Sequence, residues 1–209
     1  MAEVITTAPK SKEAEIKLSI MPLGELTSHL GDDKASTAIE AIANFVNHRS
    51  PGDKQMLSVS NADIAGKYTD FVALRLPEAE VAIDASFITN NVVGYVGAME
   101  PVNHGTHPMS EVSSLKVDDS LRGHGVGTIL FERIIQAMQD EGITPYAFCN
   151  SDSLPIAKRL GGREIESADE VPPEALALCQ KCPLYGQGSK KYGCCDTVMV
   201  WDKTQNADG

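Results

Sequence analysis

The sequence is poor in aromatic residues, in positive charge and in long apolar runs. Aromatics make up 5% of the 209 residues, so a core must rely on aliphatic side chains, which the hydrophobic fraction of 42% allows. Lysine and arginine number 18 against 29 acidic residues. The resulting net charge of −11 disfavours nucleic acid as a partner. It either favours cationic substrates such as amines or serves only the solubility of the protein. No apolar run is long enough to cross a bilayer, so no membrane partner is expected.

The two ends of the sequence are polar. Residues 1–15 lack the apolar core of a secretory signal, so we expect a flexible leader and a cytoplasmic protein. Residues 16–203 have the length and apolar content of a single domain with its own core. Residues 204–209 form a polar tail. The sequence contains no indication of an oligomeric state.

Apolar alternation and β-branched residues predict many strands. They are predicted at residues 16–23, 70–77, 80–88, 92–100, 110–117, 144–150, 163–167 and 196–202. Asn90–Asn91 predicts a hairpin turn between two of them. Amphipathic helices are predicted at residues 34–48 and 128–142, a short helix at 151–162 and an irregular segment at 168–193. Because consecutive strands often join directly, this mixture predicts an α/β (α+β) fold with a mixed sheet.

The most informative segment joins a strand to a helix through three glycines. It consists of Arg122, Gly123, His124, Gly125, Val126, Gly127 and Thr128. Glycines let backbone N–H groups turn toward a bound anion, and a helix N-terminus adds unpaired N–H groups and a positive dipole end. Arg122 and the hydroxyl of Thr128 add further donors. The segment therefore predicts a pyrophosphate-binding loop.

Two better-known phosphate-binding loops do not fit this segment. The dinucleotide fingerprint G-x-G-x-x-G fails because Thr128 takes the place of the third glycine after Gly123 and Gly125. The Walker loop fails because no Gly-Lys-Ser/Thr follows. A glycine-rich turn that only connects strand to helix is the remaining alternative.

The pattern Arg-x-x-Gly-x-Gly, formed by Arg122, Gly125 and Gly127 after the strand SSLKVDD, resembles the central motif of the GNAT superfamily of acyl-CoA-dependent N-acetyltransferases. A second similarity is Asn150 on the next strand, followed by a short helix that ends in glycine. The resemblance covers roughly residues 80–166. It implies a mixed, mostly antiparallel central sheet flanked by helices, acetyl-CoA as cofactor and a primary amine as acetyl acceptor.

The resemblance also implies where the cofactor binds. The contacts it implies are the backbone of Leu115, Lys116 and Val117 for the pantetheine arm, the loop of residues 122–128 for the pyrophosphate, and Asn150 and Ser153 for the thioester end. Residues 16–203 would be one GNAT-like domain with a cysteine-rich insert at about 168–195. The acceptor amine, on a small molecule or a peptide, is not identified by the sequence.

A general base is needed because only a neutral amine can attack, and a lysine-like amine has a pKa of ~10.4. Glu111 opens the strand before the loop, at a place where several members of the resembled family carry a glutamate base. Half-burial there would raise its pKa usefully. An exposed glutamate at a strand edge is the alternative, and His104 and His107 in the preceding loop are further candidates.

A general acid is harder to assign. The resembled family often has a tyrosine at the position of Ala157 and an aromatic residue at that of Gly162. Tyr146, Tyr185 or Tyr192 could replace the missing tyrosine, but nothing in the sequence selects one. A thiolate is a fair leaving group, so the reaction can proceed without a dedicated acid.

Four cysteines cluster near the carboxyl end of the chain. Cys179 and Cys182 have the C-x2-C spacing of zinc sites, and Cys194 and Cys195 follow. In a reducing compartment this cluster favours a structural zinc over disulfides or uncombined thiols, although all three remain open. Cys149 is predicted to be a buried strand residue.

Three functions are compatible with these observations. The first is an acetyl-CoA-dependent N-acetyltransferase that contains Glu111 as its base. The second is a module of the same fold that binds acyl-CoA without catalysis, as the missing tyrosine at Ala157 would allow. The third is a zinc-stabilised interaction protein whose cysteine-rich insert binds a partner.

Overall fold

A computed structural model describes residues 3–7, 16–48, 58–77, 82–180 and 197–202 of the chain. The described residues fall into two compact units. The first unit draws on Met1–Ala98 and Ser114–Ile134, and the second draws on Met99–Ser113 and Ile135–Gly209. The chain therefore passes from one unit to the other at three points: at residues 98–99, once within a strand and once within a helix.

Strands and helices are mixed along the chain, which confirms the predicted α/β (α+β) class. The strands are β1 (Glu3–Thr7), β2 (Ile16–Pro22), β3 (Thr69–Arg75), β4 (Val92–Ala98), β5 (Val102–His104), β6 (His107–Val117), β7 (Thr144–Cys149), β8 (Arg163–Glu164) and β9 (Thr197–Val200). The helices are α1 (Leu23–Leu30), α2 (Asp32–Asn47), α3 (Asn61–Ala65), α4 (Ala85–Asn91), α5 (Val126–Asp140), α6 (Leu154–Arg159) and α7 (Pro173–Gln180). Among the described residues, no helix combines the length and the apolarity that a membrane span requires.

The first unit is built on an antiparallel sheet in which β1 pairs with β2, β2 with β3 and β3 with β4. Leu74 of β3 and Tyr95 of β4 are fully buried and pack in one cluster with Ile42 and Val46 of α2. These helix residues are one turn apart and lie on the same helical face. The core of this unit is mainly aliphatic, as the low aromatic content predicts.

The second unit combines parallel and antiparallel pairing. β6 runs parallel to β7, with Glu111 opposite Tyr146, whereas β9 lies antiparallel to both β7 and β8. β5 and β6 form a hairpin that turns at Gly105, whose φ is +62°. Tyr146 and Val200 are buried in a cluster of their own in this unit. Among the strand pairs of the described residues, antiparallel pairing thus predominates, which confirms the predicted mixed, mostly antiparallel sheet.

The predicted strand at residues 80–88 and the hairpin turn at Asn90–Asn91 are wrong, because the chain forms α4 there. Asp84 is the N-cap of this helix, and its carboxylate accepts a hydrogen bond from the backbone N–H of Phe87 at 2.8 Å. Ile88 is fully buried in the cluster that contains α2. The cap and this tertiary contact outweigh the strand propensity of the β-branched residues.

Other elements also lie where the sequence predicts none. Residues 3–7, within the predicted flexible leader, form β1 because β2 supplies a partner for the backbone hydrogen bonds. α1 fills the gap between the first predicted strand and the first predicted helix, and α3 precedes the second predicted strand. α7 lies in the segment at residues 168–193 that is predicted to be irregular.

Asp70 of β3 joins α1 to the sheet of the first unit. The N-cap position of α1 is Pro22, whose side chain cannot cap the helix. The carboxylate of Asp70 instead accepts the backbone N–H of Leu23 and, at 2.9 Å, the hydroxyl of Tyr95. Burial raises the pKa of Asp70 from 3.8 to about 6, against the opposing effect of these two hydrogen bonds and of Lys67. Burial and the neighbouring Asp70 also raise the pKa of Tyr95, which therefore stays protonated.

Asp70→Asn is expected to change how stability depends on pH. Between about pH 4 and pH 6 the folded protein binds the Asp70 proton more tightly than the unfolded chain does, so this group's contribution to stability falls as pH rises through that window and stays low above it. A shift from 3.8 to about 6 corresponds to about 3 kcal/mol. Denaturant unfolding followed by circular dichroism should show the variant gaining about that amount on the wild type between pH 4 and pH 7. Curves that stay parallel across this range would contradict the assignment.

Candidate active site

The predicted cofactor loop lies in the first unit, between the end of β6 and the start of α5. Asp118 opens it: its backbone N–H donates to the carbonyl of Val93 at 2.9 Å, and its carboxylate accepts the N–H of Ser120 at 2.9 Å. The guanidinium of Arg75 donates to the hydroxyl of Ser120 at 3.1 Å. Leu121 is fully buried. The entry to the loop is thus fixed to β3 and β4 before the glycines begin.

Two glycines of the loop have left-handed backbones. Gly123 has a φ of +79° and Gly125 a φ of +86°, a region that other residues adopt only at a cost of roughly 1–2 kcal/mol. A Cβ atom on Gly125 would meet nothing within 4 Å, so its conformation rather than its surroundings requires glycine there. Between them, the N–H of His124 donates to the carbonyl of Leu121 at 3.2 Å. The loop turns tightly and leaves open space beside its backbone at Gly125.

The hydrogen-bond ladder of α5 begins at Gly125, whose carbonyl accepts the N–H of Ile129 at 3.0 Å. The N–H groups of Val126, Gly127 and Thr128 precede this ladder and have no partner within the helix geometry. Together with the dipole of a 15-residue helix, they form a donor set that suits an anion.

The helix that carries these donors is packed closely on β4. A Cβ atom on Gly94 would approach the Cδ1 of Leu130 in α5 to 2.8 Å and the Cβ of Ala73 in β3 to 3.1 Å, so a larger residue would require these side chains to shift. Leu130 and Val126 are fully buried. The start of α5 is therefore held in a fixed position by the sheet beneath it.

Arg122 lies at the surface of the loop. Its Nε lies 2.9 Å from the carboxylate of Asp119, and the two side chains are 45% and 49% exposed. An exposed pair of this kind contributes little to stability. It orients the guanidinium, which has five N–H donors and prefers phosphate or carboxylate partners.

The predicted pantetheine strand, Leu115–Val117, forms the last residues of β6. Lys116 is 7% exposed, and its ammonium group donates to the backbone carbonyl of His48 at 3.1 Å, whereas Leu115 and Val117 are half-buried. Ser114, just before them, has a φ of +58°, which is uncommon for a residue other than glycine. No sequence signal marks this special backbone position, although such positions often occur at functional sites.

Glu111 lies in the second unit, on β6, and is half-buried rather than fully exposed. Its carbonyl accepts the N–H of Met99 at 2.9 Å, and Ser110 donates its hydroxyl to the Met99 carbonyl. Tyr146 is its partner in register on β7. The backbone of Glu111 is therefore fixed within β6, and its role as general base stays a prediction.

The two candidate histidines are placed differently. A ring nitrogen of His104, Nε2, lies 2.7 Å from the backbone carbonyl of Asp169, and because a carbonyl only accepts, Nε2 carries the proton in this bond. His107 is exposed and pairs with His104 across the hairpin. The sequence places both in a loop, whereas they belong to β5 and β6.

Asn150 and Ser153 also lie in the second unit, where they shape the turn before α6. The side-chain oxygen of Asn150 accepts the N–H groups of Asp152 at 2.9 Å and of Ser153 at 3.1 Å. This arrangement explains the asparagine at that position without a ligand. The predicted contact of Asn150 and Ser153 with the cofactor stays a prediction.

Packing around Gly162 explains why the aromatic residue that is common at this position in the family is missing here. A Cβ atom on Gly162 would lie 2.9 Å from the ring of Trp201, so the tryptophan that follows β9 fills the space instead. The Trp201 ring N–H donates to the carbonyl of Leu160 at 3.1 Å. Ala157 is fully buried, so a tyrosine there would not fit without rearrangement. Of the alternative tyrosines, Tyr146 is buried, and Tyr185 and Tyr192 lie outside the described residues.

The predicted zinc ligands Cys182, Cys194 and Cys195 lie outside the described residues, and Cys179 is at the last turn of α7. In the described part of the chain no three metal-ligating side chains come together. The zinc site therefore stays a prediction. Cys149 is buried on β7, as its strand context predicts.

Comparison with known proteins gives an independent result. The model of the acetyltransferase (GNAT) family matches residues 58–161, which include β6, the loop and α5. Solved structures with a similar fold include NAA60 from Arabidopsis thaliana in complex with a bisubstrate analogue. Its TM-score is 0.53 at 12% identity, and the match covers 88% of this chain and 97% of that one. Rv2747 from Mycobacterium tuberculosis, in complex with CoA and NLQ, has a TM-score of 0.50 and 17% identity, and the match covers 79% of this chain and 93% of that one. The NatC complex bound to Gag peptide and CoA has a TM-score of 0.50 and 13% identity, and the match covers 88% of this chain and 95% of that one. No curated protein matches the sequence.

The chain therefore belongs to the GNAT acetyltransferase family, whose members are acyl-CoA-dependent N-acetyltransferases. The chemistry of the loop residues is compatible with an anionic cofactor: two left-handed glycines, the first amides of α5 and the arginine paired with Asp119 lie within residues 122–128. The loop and residues 115–117 lie in the first unit, and Glu111, Asn150 and Ser153 lie in the second.

Proposed function

We propose that the protein transfers the acetyl group of acetyl-CoA to a primary amine of a small molecule or a peptide. The observation that carries this proposal is the backbone of the Arg122–Thr128 loop, with left-handed glycines at positions 123 and 125 ahead of α5. Oriented N–H groups and the positive end of a helix dipole bind pyrophosphate groups, and this loop and α5 have both features. Acetyl-CoA supplies the activated thioester, and the chain supplies binding, orientation and proton transfer.

Glu111 is proposed to accept the proton of the amine, directly or through a water molecule. Its backbone carbonyl accepts the N–H of Met99, which fixes the part of β6 from which the carboxylate extends. Lys116 is proposed to position the end of β6, because its ammonium group donates to the carbonyl of His48. Leu115 and Val117 on either side of it stay partly exposed. An extended, amide-containing arm is proposed to lie along these strand residues. The leaving thiolate needs no dedicated acid.

Amine-dependent release of CoA tests this function. The protein is incubated with acetyl-CoA and a panel of primary amines and amine-terminated peptides, and CoA is measured by chromatography because the five cysteines would react with thiol reagents. We expect at least one amine to accelerate CoA release well above hydrolysis, with the acetylated amine detected by mass spectrometry. Saturable acetyl-CoA binding without amine-dependent release across the panel would favour the non-catalytic acyl-CoA-binding module.

A cytoplasmic location is proposed as well, because it suits an enzyme that consumes acetyl-CoA. A structural zinc held by Cys179, Cys182, Cys194 and Cys195 would stabilise the cysteine-rich segment, and metal analysis of the purified protein tests it. One zinc per chain is expected, whereas a metal-free, fully folded protein would contradict the site.

A further inference from the structure

A cavity of about 280 Å³ lies in the first unit, outside the cofactor loop. Gly24 and Thr27 of α1 line one side, Ile64 of α3 lines another, and Lys67 and Asp70 lie where the chain enters β3. This volume is at the lower end for small-molecule sites and suits a short chain with one polar group. Neither the cofactor loop nor Glu111 contributes to its wall.

The cavity lining includes the polar residues Thr27, Lys67 and Asp70, and among them Asp70 is a buried carboxylate. Asp70 is 8% exposed, and it accepts hydrogen bonds from the Tyr95 hydroxyl and the Leu23 N–H. An ionised carboxylate can accept about four hydrogen bonds, so two bonds leave acceptor capacity. The pKa of Asp70 is raised to about 6 because burial outweighs both bonds. The negative charge is therefore incompletely compensated within the protein.

Lys67 does not fully compensate the negative charge of Asp70. Its aliphatic stem packs over Gly97, where an added Cβ atom would lie 3.0 Å from it. Its charge is the smallest of the four effects on Asp70, after burial and the two hydrogen bonds. The net charge of −11 also favours cations over anions around the chain as a whole.

We propose that this cavity binds an alkylammonium group, with Asp70 as its counter-ion and the side chains of Ile39 and Ile64 around its apolar stem. The cation restores a charge partner to the buried carboxylate, and the stem displaces water from apolar walls. Two sources share this chemistry: the acetyl acceptor itself, in which case the inference rests on the proposed function, or a separate amine that regulates the protein.

Calorimetry with n-butylamine, which is an alkylammonium ion at pH 8, tests the site on the whole chain. Saturable binding is expected for n-butylamine and not for n-butanol, which has the same stem without charge. Asp70→Asn keeps the shape of the side chain and should weaken binding at least tenfold. Lowering the pH from 8 to 5 should weaken it by a similar factor, because protonation removes the charge of Asp70.

A second variant leaves Asp70 intact and obstructs the cavity. Gly24 lies in α1 with nothing within 4 Å of an added Cβ atom, so Gly24→Leu is compatible with the helix while filling the cavity wall. It should abolish n-butylamine binding without changing acetyl-CoA affinity. Equal binding of n-butanol, or n-butylamine binding that neither variant weakens, would overturn the inference.

The two sources of the amine are separated by kinetics. If the acceptor occupies the cavity, Asp70→Asn raises the KM for the amine at least tenfold and leaves the KM for acetyl-CoA unchanged. If a regulatory amine occupies it, n-butylamine alters turnover of another acceptor without competing with it. Acetyl-CoA titrations on the same samples report the proposed function separately, so that its failure is distinguished from failure of the cavity site.

Discussion

Gly125→Ala is expected to lower acetyl-CoA affinity by about 10- to 100-fold while the chain stays folded. At a φ of +86°, a Cβ atom costs roughly 1–2 kcal/mol, and the loop can relieve it only by turning the backbone away. Hydrogen bonds to a charged group contribute roughly 1.5–3 kcal/mol each, so losing one such N–H from the pyrophosphate accounts for this range. Calorimetric titration of the variant with acetyl-CoA measures the loss.

Gly31→Ala is the matched control for this experiment. Gly31 has a φ of +76°, also has nothing within 4 Å of an added Cβ atom, and lies in the first unit between α1 and α2 rather than in the loop. It should lose a similar or greater amount of stability and keep wild-type acetyl-CoA affinity. If Gly125→Ala binds as tightly as this control, the loop is only a connection between strand and helix.

Glu111→Gln is expected to lower kcat by about 10²- to 10⁴-fold at neutral pH without changing acetyl-CoA affinity. Glutamine keeps the size of the side chain, and the hydrogen bond from the Met99 N–H goes to the backbone carbonyl of residue 111, which the substitution does not alter. Only the proton acceptor is lost. The deficit should shrink as the pH approaches ~10.4, where a lysine-like amine is half neutral without a base.

The pH profile distinguishes a base from a structural glutamate. A variant that merely distorts β6 would be impaired equally at every pH. Glu100→Gln, an exposed glutamate of the same unit, serves as control and should keep wild-type turnover. Full activity of Glu111→Gln at neutral pH would exclude Glu111 as the base and make His107 the next candidate, since the Nε2 of His104 already donates to Asp169.

The sequence predicts the strand, glycine loop and helix around residues 122–128 well because their signals are local. Glycines that punctuate a strand and a 3.6-residue apolar period lie within about 20 residues, so no distant contact is needed to interpret them. The error at α4 has the opposite cause. Its β-branched residues suggest a strand, but the Asp84 cap and burial of Ile88 against distant residues decide for a helix.

Features that depend on distant partners could not be predicted. Tyr95 and Asp70 are 25 positions apart, and their hydrogen bond exists only because β3 and β4 pair. Trp201 fills the space at Gly162 although it is far away along the chain. The left-handed backbone of Ser114 has no signature in the side chain itself. Burial and strain of this kind are set by tertiary structure, which a single sequence does not display.

Binding of the acetyl-CoA pyrophosphate by the Arg122–Thr128 loop is the property on which the proposed activity depends. Calorimetric titration of the wild-type chain with acetyl-CoA, and with adenosine diphosphate as the smaller pyrophosphate ligand, tests it most directly. We predict one saturable site for acetyl-CoA, at least tenfold tighter than for the diphosphate, and a stabilisation of about 2.7 kcal/mol at a hundredfold excess over the dissociation constant. No heat of binding and no stabilisation at millimolar acetyl-CoA would contradict this role of the loop.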